Sequence, residues 1–348
     1  MRAIRTIAAV AILVLPICGP GNRAAAETPA GALFASTELL EVRLTGPVTA
    51  TIRDRKDREE RAFVIEVDGV EEEVRVRVRG SSRSQRDVCA FPPLRLHFGD
   101  AGGVFTDQHK LKLVTHCRNN NAGDANAMEE YLAYRILSLL TPDAFRVRPL
   151  RIAYNDTDDK LSRGARHRYG FLLESTRELG VRRGGKFIDI PQISIAQLDP
   201  AHSALVYVFQ YLIGNTDWSL VAAEDDDYCC HNGRLLQVGD VIRYVPYDFD
   251  LAGLVNAPYA TTDPRLHLRS VRVRRYRGFC TDRDLLRSTV HAITQRKQEI
   301  HQLVRTTPGL GDRQKKFASA YLDQFFNATR EEDALLDRFE SRCLGRGG

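Results

Sequence analysis

Asp217, Asn232, Asp248 and Asp250 are the residues whose types and order could carry chemistry. They lie in GNTDWS at 214–219, in HN at 231–232 and in VPYDFDLAGLVNAPY at 245–259, each segment flanked by hydrophobic residues. Transfer of a phosphoryl group from a metal-bound nucleotide needs a carboxylate to orient the attacking hydroxyl. It also needs an amide oxygen and a carboxylate to hold the divalent cation. Asp217 fits the first role, and Asn232, Asp248 and Asp250 fit the second. Blander readings stand beside this one. Asn215 and Asp217 can simply make the turn after a helix through side-chain-to-backbone bonds, and a bare D-x-D also occurs as a calcium-binding or structural pair. Carboxylates two residues apart point to the same side of an extended chain, so Asp248 and Asp250 can face one cation.

The elements that must position these residues are legible as patterns. Residues Ala196–Ile213 predict a helix, with Leu198, Leu205, Val208, Phe209, Leu212 and Ile213 on one stripe and Gly214 as its stop. Leu235–Val238 and Ile242–Val245 predict a hairpin that delivers Asp248. Upstream, Glu41–Ile52, Ala62–Val67, Glu73–Arg79, Leu94–Phe98 and Lys110–Thr115 read as strands. In Glu73–Arg79, Val74, Val76 and Val78 share one face and Arg75, Arg77 and Arg79 the other, an arginine face read as solvated. A helix through Met128–Leu139, capped by Asp124 or Asn126, ends at Thr141-Pro142. A strand pair, Phe145–Tyr154 and Tyr169–Glu174, follows. From Thr281 one long helix to about Val304 and a second segment to about Phe339 are expected, broken at Pro308-Gly309. The fold class is α+β: a β-rich lobe at 38–180 containing one helix, then a helix-rich lobe at 181–348 carrying the catalytic-type loops.

The 348 residues suffice for one large domain or two packed lobes. A composition of 43% hydrophobic and 27% charged residues excludes a disordered or fibrous chain. A net charge of +5 does not imply nucleic-acid binding and permits a mildly basic groove for phosphate. Arg2 and Arg5, the apolar Ile7–Ile17 and Ala24–Ala26 read as a signal peptide at 1–26, followed by a linker at 27–37. The alternative, lipidation at Cys18, is disfavoured by the bulky Ile17 before it. No later segment is apolar and long enough to span a membrane, so a periplasmic or secreted protein is expected. Six cysteines then remain, which in an oxidising compartment favour disulfides over zinc or thiol catalysis. Cys89–Cys117 is the preferred pair because each flanks a strand. Cys230–Cys280 and Cys229–Cys343 follow with less support. His116 and His231 lack further zinc ligands at workable spacing.

RVRGSSRSQR at 77–86, LRLHF, KLKLV, MEEYLAYRIL, FLLE, GNTDW and PYDFD together resemble the spore-coat CotH kinase family, atypical secreted kinases. The catalytic segment is also similar to HipA-like and phosphatidylinositol-kinase-like enzymes. The match spans about residues 75–255. Uncharacterised exported bacterial proteins share RG, C-FPPL, LVTHC, GNTDW and PYDFD blocks with the chain. The resemblance implies a protein-kinase-like two-lobed fold and use of ATP with Mg or Mn. It further implies transfer of phosphate to a hydroxyl-bearing acceptor, with a protein among the candidates. Carried over, Asp217 orients the nucleophile and Asp248 binds metal. Lys110 or Lys112 contacts nucleotide phosphates, and Glu129 or Glu130 pairs with that lysine. Gly80, Ser81 and Ser82 with Arg83 form a turn over the phosphates. Two departures matter. The family's metal-binding Asn follows its Asp by about five residues, where this chain has Ala222; Asn232 is the nearest substitute. Gly-x-x-x-x-Gly-Lys is absent. These departures keep a second expectation open: a catalytically silent, disulfide-stabilised binding or envelope-assembly protein on the same fold.

Overall fold

A computed structural model describes residues 32–223 and 228–345. The signal peptide, the Cys18 alternative and the first part of the linker fall outside these residues. The chain mixes sheet and helix, as expected for α+β. Seven strands, β1 (Leu40–Gly46), β2 (Arg61–Val67), β3 (Val70–Val78), β4 (Leu94–Phe98), β5 (Lys110–Val114), β6 (Val147–Asp156) and β7 (His167–Leu173), close into a barrel in the order β1-β2-β3-β4-β5-β7-β6. The closure is a parallel β1–β6 pairing, Leu40 opposite Leu150 through Gly46 opposite Asp156. Alternation explains the interior: Val42 and Leu44, Ile65, Val74, Val76 and Val78, Leu94 and Leu96, Leu111 and Leu113 point inward and are buried. Closure leaves the barrel itself without a free edge. The expected two-lobed layout did not anticipate this barrel.

A short helix, α1 (Ala32–Ala35), sets Leu33 and Phe34 in the barrel's core, so these residues of the expected linker are structured. The expected strand Glu41–Ile52 is corrected. The strand stops at Gly46, and after Pro47, which has no N–H to give a ladder, Val48–Arg53 forms the helix α2. Thr49 anchors it by donating from its backbone and hydroxyl to Asp156, at 3.1 and 2.6 Å.

The helix α3 (Asn121–Leu140) is capped by Asn120, whose side chain accepts from Gly123, rather than by Asp124 or Asn126. Asp124 is instead buried, ion-paired to Arg168 at 2.9 Å and accepting from the Tyr169 backbone at 3.1 Å. Most of α3 is buried because it is packed on two sides. Its neighbours are the outer faces of β6 and β7 and the later helix α7 (Lys297–Thr306). After α4 (Thr176–Arg183) comes β8 (Lys186–Ile188), which joins β9 (Gly233–Val238) and β10 (Val241–Pro246) in a three-stranded sheet. Between β8 and β9 lies α5 (Pro200–Ile213), begun by an Asp199 cap and ended by Gly214 at φ 67°. The remainder is helical: α6 (Arg283–Gln295), α7, α8 (Asp312–Ala328) and α9 (Glu332–Glu340). The single helix expected from Thr281 is two, because the backbone leaves helical geometry at Arg296 (φ −86°, ψ 6°). These helices, α3, α5 and the small sheet share one hydrophobic cluster; the barrel interior holds another.

Three disulfides are present among the described residues: Cys89–Cys117, Cys229–Cys230 and Cys280–Cys343. The first is as expected; Cys230–Cys280 and Cys229–Cys343 are corrected. The neighbours Cys229 and Cys230 bond to each other across a cis peptide. Cys280 meets Cys343 because Phe279 and Leu344 pair as a parallel bridge. Disulfides suit an oxidising compartment. No helix of the described residues is long and apolar enough to cross a membrane.

Candidate functional site

The loop after α5 is shaped by its glycine. Gly214 takes a left-handed conformation, and the Tyr321 hydroxyl lies where its Cβ would stand. The following turn belongs to Asn215, whose Oδ1 accepts from the Asp217 backbone at 3.0 Å, while Trp218 Nε1 donates to the Asn215 carbonyl at 3.1 Å. Trp218 is buried and stacks on Tyr207. The Asp217 side chain is therefore not spent on the turn. Its two oxygens face the HN dipeptide: Asn232 Nδ2 donates to Oδ2 at 2.7 Å and to the Asp217 carbonyl at 2.8 Å, and His231 Nε2 lies 2.9 Å from Oδ1. Asn232 itself is left-handed at φ 51°, a region that Asn tolerates better than most residues. Its carbonyl accepts from Tyr247 N at 2.9 Å, which ties this pair to the residue before Asp248. Gly233 next to it admits the Tyr244 ring, which overlies the space a Cβ would fill.

At the end of β10, Asp248 is also left-handed, with φ 63°. Such conformations in non-glycine residues gather at functional sites. The fixing contacts are visible: Asp248 N donates to the Tyr134 hydroxyl at 2.8 Å, and Phe249 is fully buried between Tyr134 and Phe209. Asp248 and Asp250 do point to a common place, and Arg83 fills it. Its Nη2 lies 2.6 Å from Asp248 Oδ1, its Nε 3.3 Å from Asp250 Oδ2 and its Nη1 3.0 Å from Glu130 Oε2. Arg83 thus sits among the carboxylates instead of forming a turn above phosphates. Glu130 pairs with Arg83, not with a lysine. Glu129, the other expected partner, accepts from Asn126 at 3.2 Å.

Burial governs the electrostatics. It pushes the Glu130 carboxyl up to about 8, with Arg83 opposing and Asp250 and Asp248 adding to the rise. Asp250 rises to about 6, again through burial, opposed by Arg83 and raised further by the charges of Asp248 and Asp217. Burial would also raise Asp248, but Arg83, Arg79 and Lys112 hold it below the usual carboxylate value. Lys112, on the outer face of β5, lies over the Tyr247 ring at 4.6 Å, and burial followed by repulsion from Arg79 brings it down to about 7. Lys110, two residues earlier on that face, is exposed.

Sequence reasoning missed Tyr134, Tyr259, whose hydroxyl hydrogen-bonds Asp250, His231 as the partner of Asp217, and Arg79, whose charge acts on Asp248. Only Arg79 had a signal, the alternating face of Glu73–Arg79. Among the described residues no three His, Cys, Asp or Glu side chains form a cation cage. A magnesium bound with a nucleotide needs only one or two carboxylates, because phosphates and water complete its shell. The donors fit that demand. Among the described residues Asp248 Oδ2 and Asn232 Oδ1 have no hydrogen-bond partner, and both are hard oxygens suited to Mg or Mn.

No protein-family model matches the chain, and no curated protein does. Among solved structures, the Helicobacter pylori proinflammatory kinase CtkA is similar over 72% of this chain and 93% of that one, at 11% identity and a TM-score of 0.39. Likeness at that level carries no weight for the chemistry, which rests on the residues themselves.

Proposed function

We propose that the chain is a kinase-like phosphotransferase that uses ATP with Mg or Mn to phosphorylate a hydroxyl group. The observation that carries the reading is the Asp217–Asn232 pair. The carboxamide spends its N–H on Asp217 and keeps its oxygen, so one contact both aims the carboxylate and leaves a metal donor. Asn232 and Asp248 would hold the cation, with Asp250 behind them. When bound, the cation would neutralise charge on the transferring phosphoryl group. Asp217, half-exposed and fixed by two neighbours, would accept a hydrogen bond from the acceptor hydroxyl and hold it in line.

One observation favours a second reading, a silent scaffold: Arg83 already supplies positive charge to Asp248 and Asp250. Titration calorimetry with Mg-ATP beside a phosphate-transfer assay separates the two. In the phosphotransfer reading Asp248→Asn abolishes metal-dependent nucleotide binding. Asp217→Asn keeps binding and loses turnover, because an orienting group acts in the transition state. A wild-type chain that binds no nucleotide with any divalent ion leaves only the scaffold.

A further inference from the structure

An arginine-rich segment packs against both loops of the candidate site. Residues 264–278 hold Arg265, Arg269, Arg272, Arg274, Arg275 and Arg277 and no acidic residue. Their six charges exceed the net +5 of the whole chain, so everything outside the segment carries a slight net negative charge. Gly253, three residues past Asp250, admits the segment: the Val271 carbonyl oxygen lies 2.6 Å from where its Cβ would stand. Arg277 Nη1 donates to the carbonyl of Thr216, the residue before Asp217, and its Nε is buried without a hydrogen-bond partner. Arg274 donates to the Leu212 and Tyr321 carbonyls at 3.1 and 2.6 Å. Little of the charge is neutralised. Arg265 pairs with Asp263 at 2.7 Å, and the other five meet no carboxylate among the described residues. Carbonyls satisfy the donors of Arg274, Arg275 and Arg277 and leave their charge in place. Between the segment and the end of α9 opens a cleft of about 590 Å³. Arg275, Arg338 and Arg342 line it, with Tyr211 and Tyr276 as an aromatic wall. Its one carboxylate, Asp337, is taken by Arg283 at 2.9 Å. Structural stapling accounts for Arg274 and Arg277. It does not account for Arg338 and Arg342, which are exposed and form no ion pair among the described residues.

We propose that this cleft receives the acceptor, and that the acceptor is a peptide with Asp or Glu a few residues from its target hydroxyl. Guanidinium forks match carboxylates. Arg275 is two residues from Arg277, so their backbones are at most about 7 Å apart, a reach that a short peptide spans. The assignment rests on the phosphotransfer reading for the role of Asp217, whereas the charged cleft stands by itself. A peptide is favoured over a nucleic acid. Long polyanions bind by neutralising many phosphates along a basic stripe, but here the positive charge is gathered in one segment and cleft, and the rest of the chain repels.

The test is fluorescence anisotropy at low salt, where surface charge is least screened, beside phosphate transfer from Mg-ATP. The probes are a serine peptide flanked by Glu, the same peptide with Gln or with Lys in place of Glu, and a single-stranded oligonucleotide of matching charge. Wild type should bind the Glu peptide about tenfold more tightly than the Gln peptide, and the Lys peptide least. Replacing Arg275 and Arg342 together with Gln should weaken the Glu peptide about tenfold, as loss of two partly exposed ion pairs does. In the transfer assay that loss should fall on KM rather than kcat. Arg43→Gln, an exposed arginine of β1, should change little. Should the double variant fail to fold, Arg342→Gln alone should still weaken the Glu peptide about threefold. Equal binding of the Glu and Gln peptides overturns the proposal. So does undiminished Glu-peptide binding by the arginine variants, an equal loss in Arg43→Gln, or tighter binding of the oligonucleotide. Transfer to the Gln or Lys peptide at the same KM as to the Glu peptide keeps the phosphotransfer reading and removes the acidic acceptor. Preference for the Glu peptide without any Mg-ATP binding leaves the cleft as an acidic-peptide site and removes the phosphotransfer reading.

Discussion

Replacing Arg83 with Met tests whether the carboxylates around it need a cation. Methionine keeps much of the apolar stem and removes the guanidinium, which is only 8% exposed. Glu130 at 2% exposure, Asp250 at 10% and Asp248 at 35% would then face one another without a counter-charge. Breaking a buried pair by deleting one partner costs about 3–5 kcal/mol, which for a chain of this size lowers the melting temperature by roughly 10 °C. The loss should depend on pH. Glu130 and Asp250 already sit near about 8 and about 6 with Arg83 opposing the rise. Without Arg83 they climb further and take up protons, so the variant suffers least in acid and most above pH 8. A divalent cation should restore part of the deficit; at a hundred times its dissociation constant it returns about 2.7 kcal/mol. The assay is urea unfolding of wild type and variant at about pH 5.5 and 8.5, with and without Mg. A loss below about 1 kcal/mol, equal at both pH values, would show that water rather than Arg83 stabilises the three carboxylates, and would refute the reasoning.

Glu129→Gln should flatten the pH profile of stability. Burial raises this carboxyl from 4.5 to about 8, against its bond from Asn126. The folded chain therefore keeps a proton that the unfolded chain loses, and the stabilisation is full below 4.5 and fades as pH rises to 8, at up to about 1.4 kcal/mol per pH unit. The variant should gain on wild type at pH 8 in urea unfolding; parallel profiles would contradict this. Gly214→Ala should cost roughly 2–4 kcal/mol, because it meets both a left-handed backbone and the Tyr321 hydroxyl. Its melting curve decides. Replacing both Cys280 and Cys343 with Ser opens a loop closed over 63 residues and should cost about 4 kcal/mol in denaturant unfolding. An unchanged midpoint would deny the bridge a stabilising role.

What could be read without coordinates followed local rules. Val74, Val76 and Val78 alternate, so β3 and its inner face were legible, and Gly214 marked the end of α5 through its freedom to turn left-handed. Val48–Arg53 misled because Val, Thr and Ile favour strands by propensity, while Pro47 and the Asp156 anchor impose a helix. Barrel closure was not legible, since β1 meets β6 across about a hundred residues of chain and no local pattern encodes that pairing. In the candidate site, the order of Asp217, Asn232 and Asp248 could be read, but Arg83 could not be told from a lysine as the partner of Glu130. Any cation satisfies the pattern, and only burial selects the one that arrives.

The central claim is that Asn232 and Asp248 hold a metal-bound nucleotide in front of Asp217. Titration of Mg-ATP, and then Mn-ATP, into the wild-type chain and into Asp248→Asn tests it most directly. The account predicts binding by wild type that requires the divalent ion and disappears in Asp248→Asn. Wild-type binding that is absent with either metal, or that persists undiminished in Asp248→Asn, would contradict it.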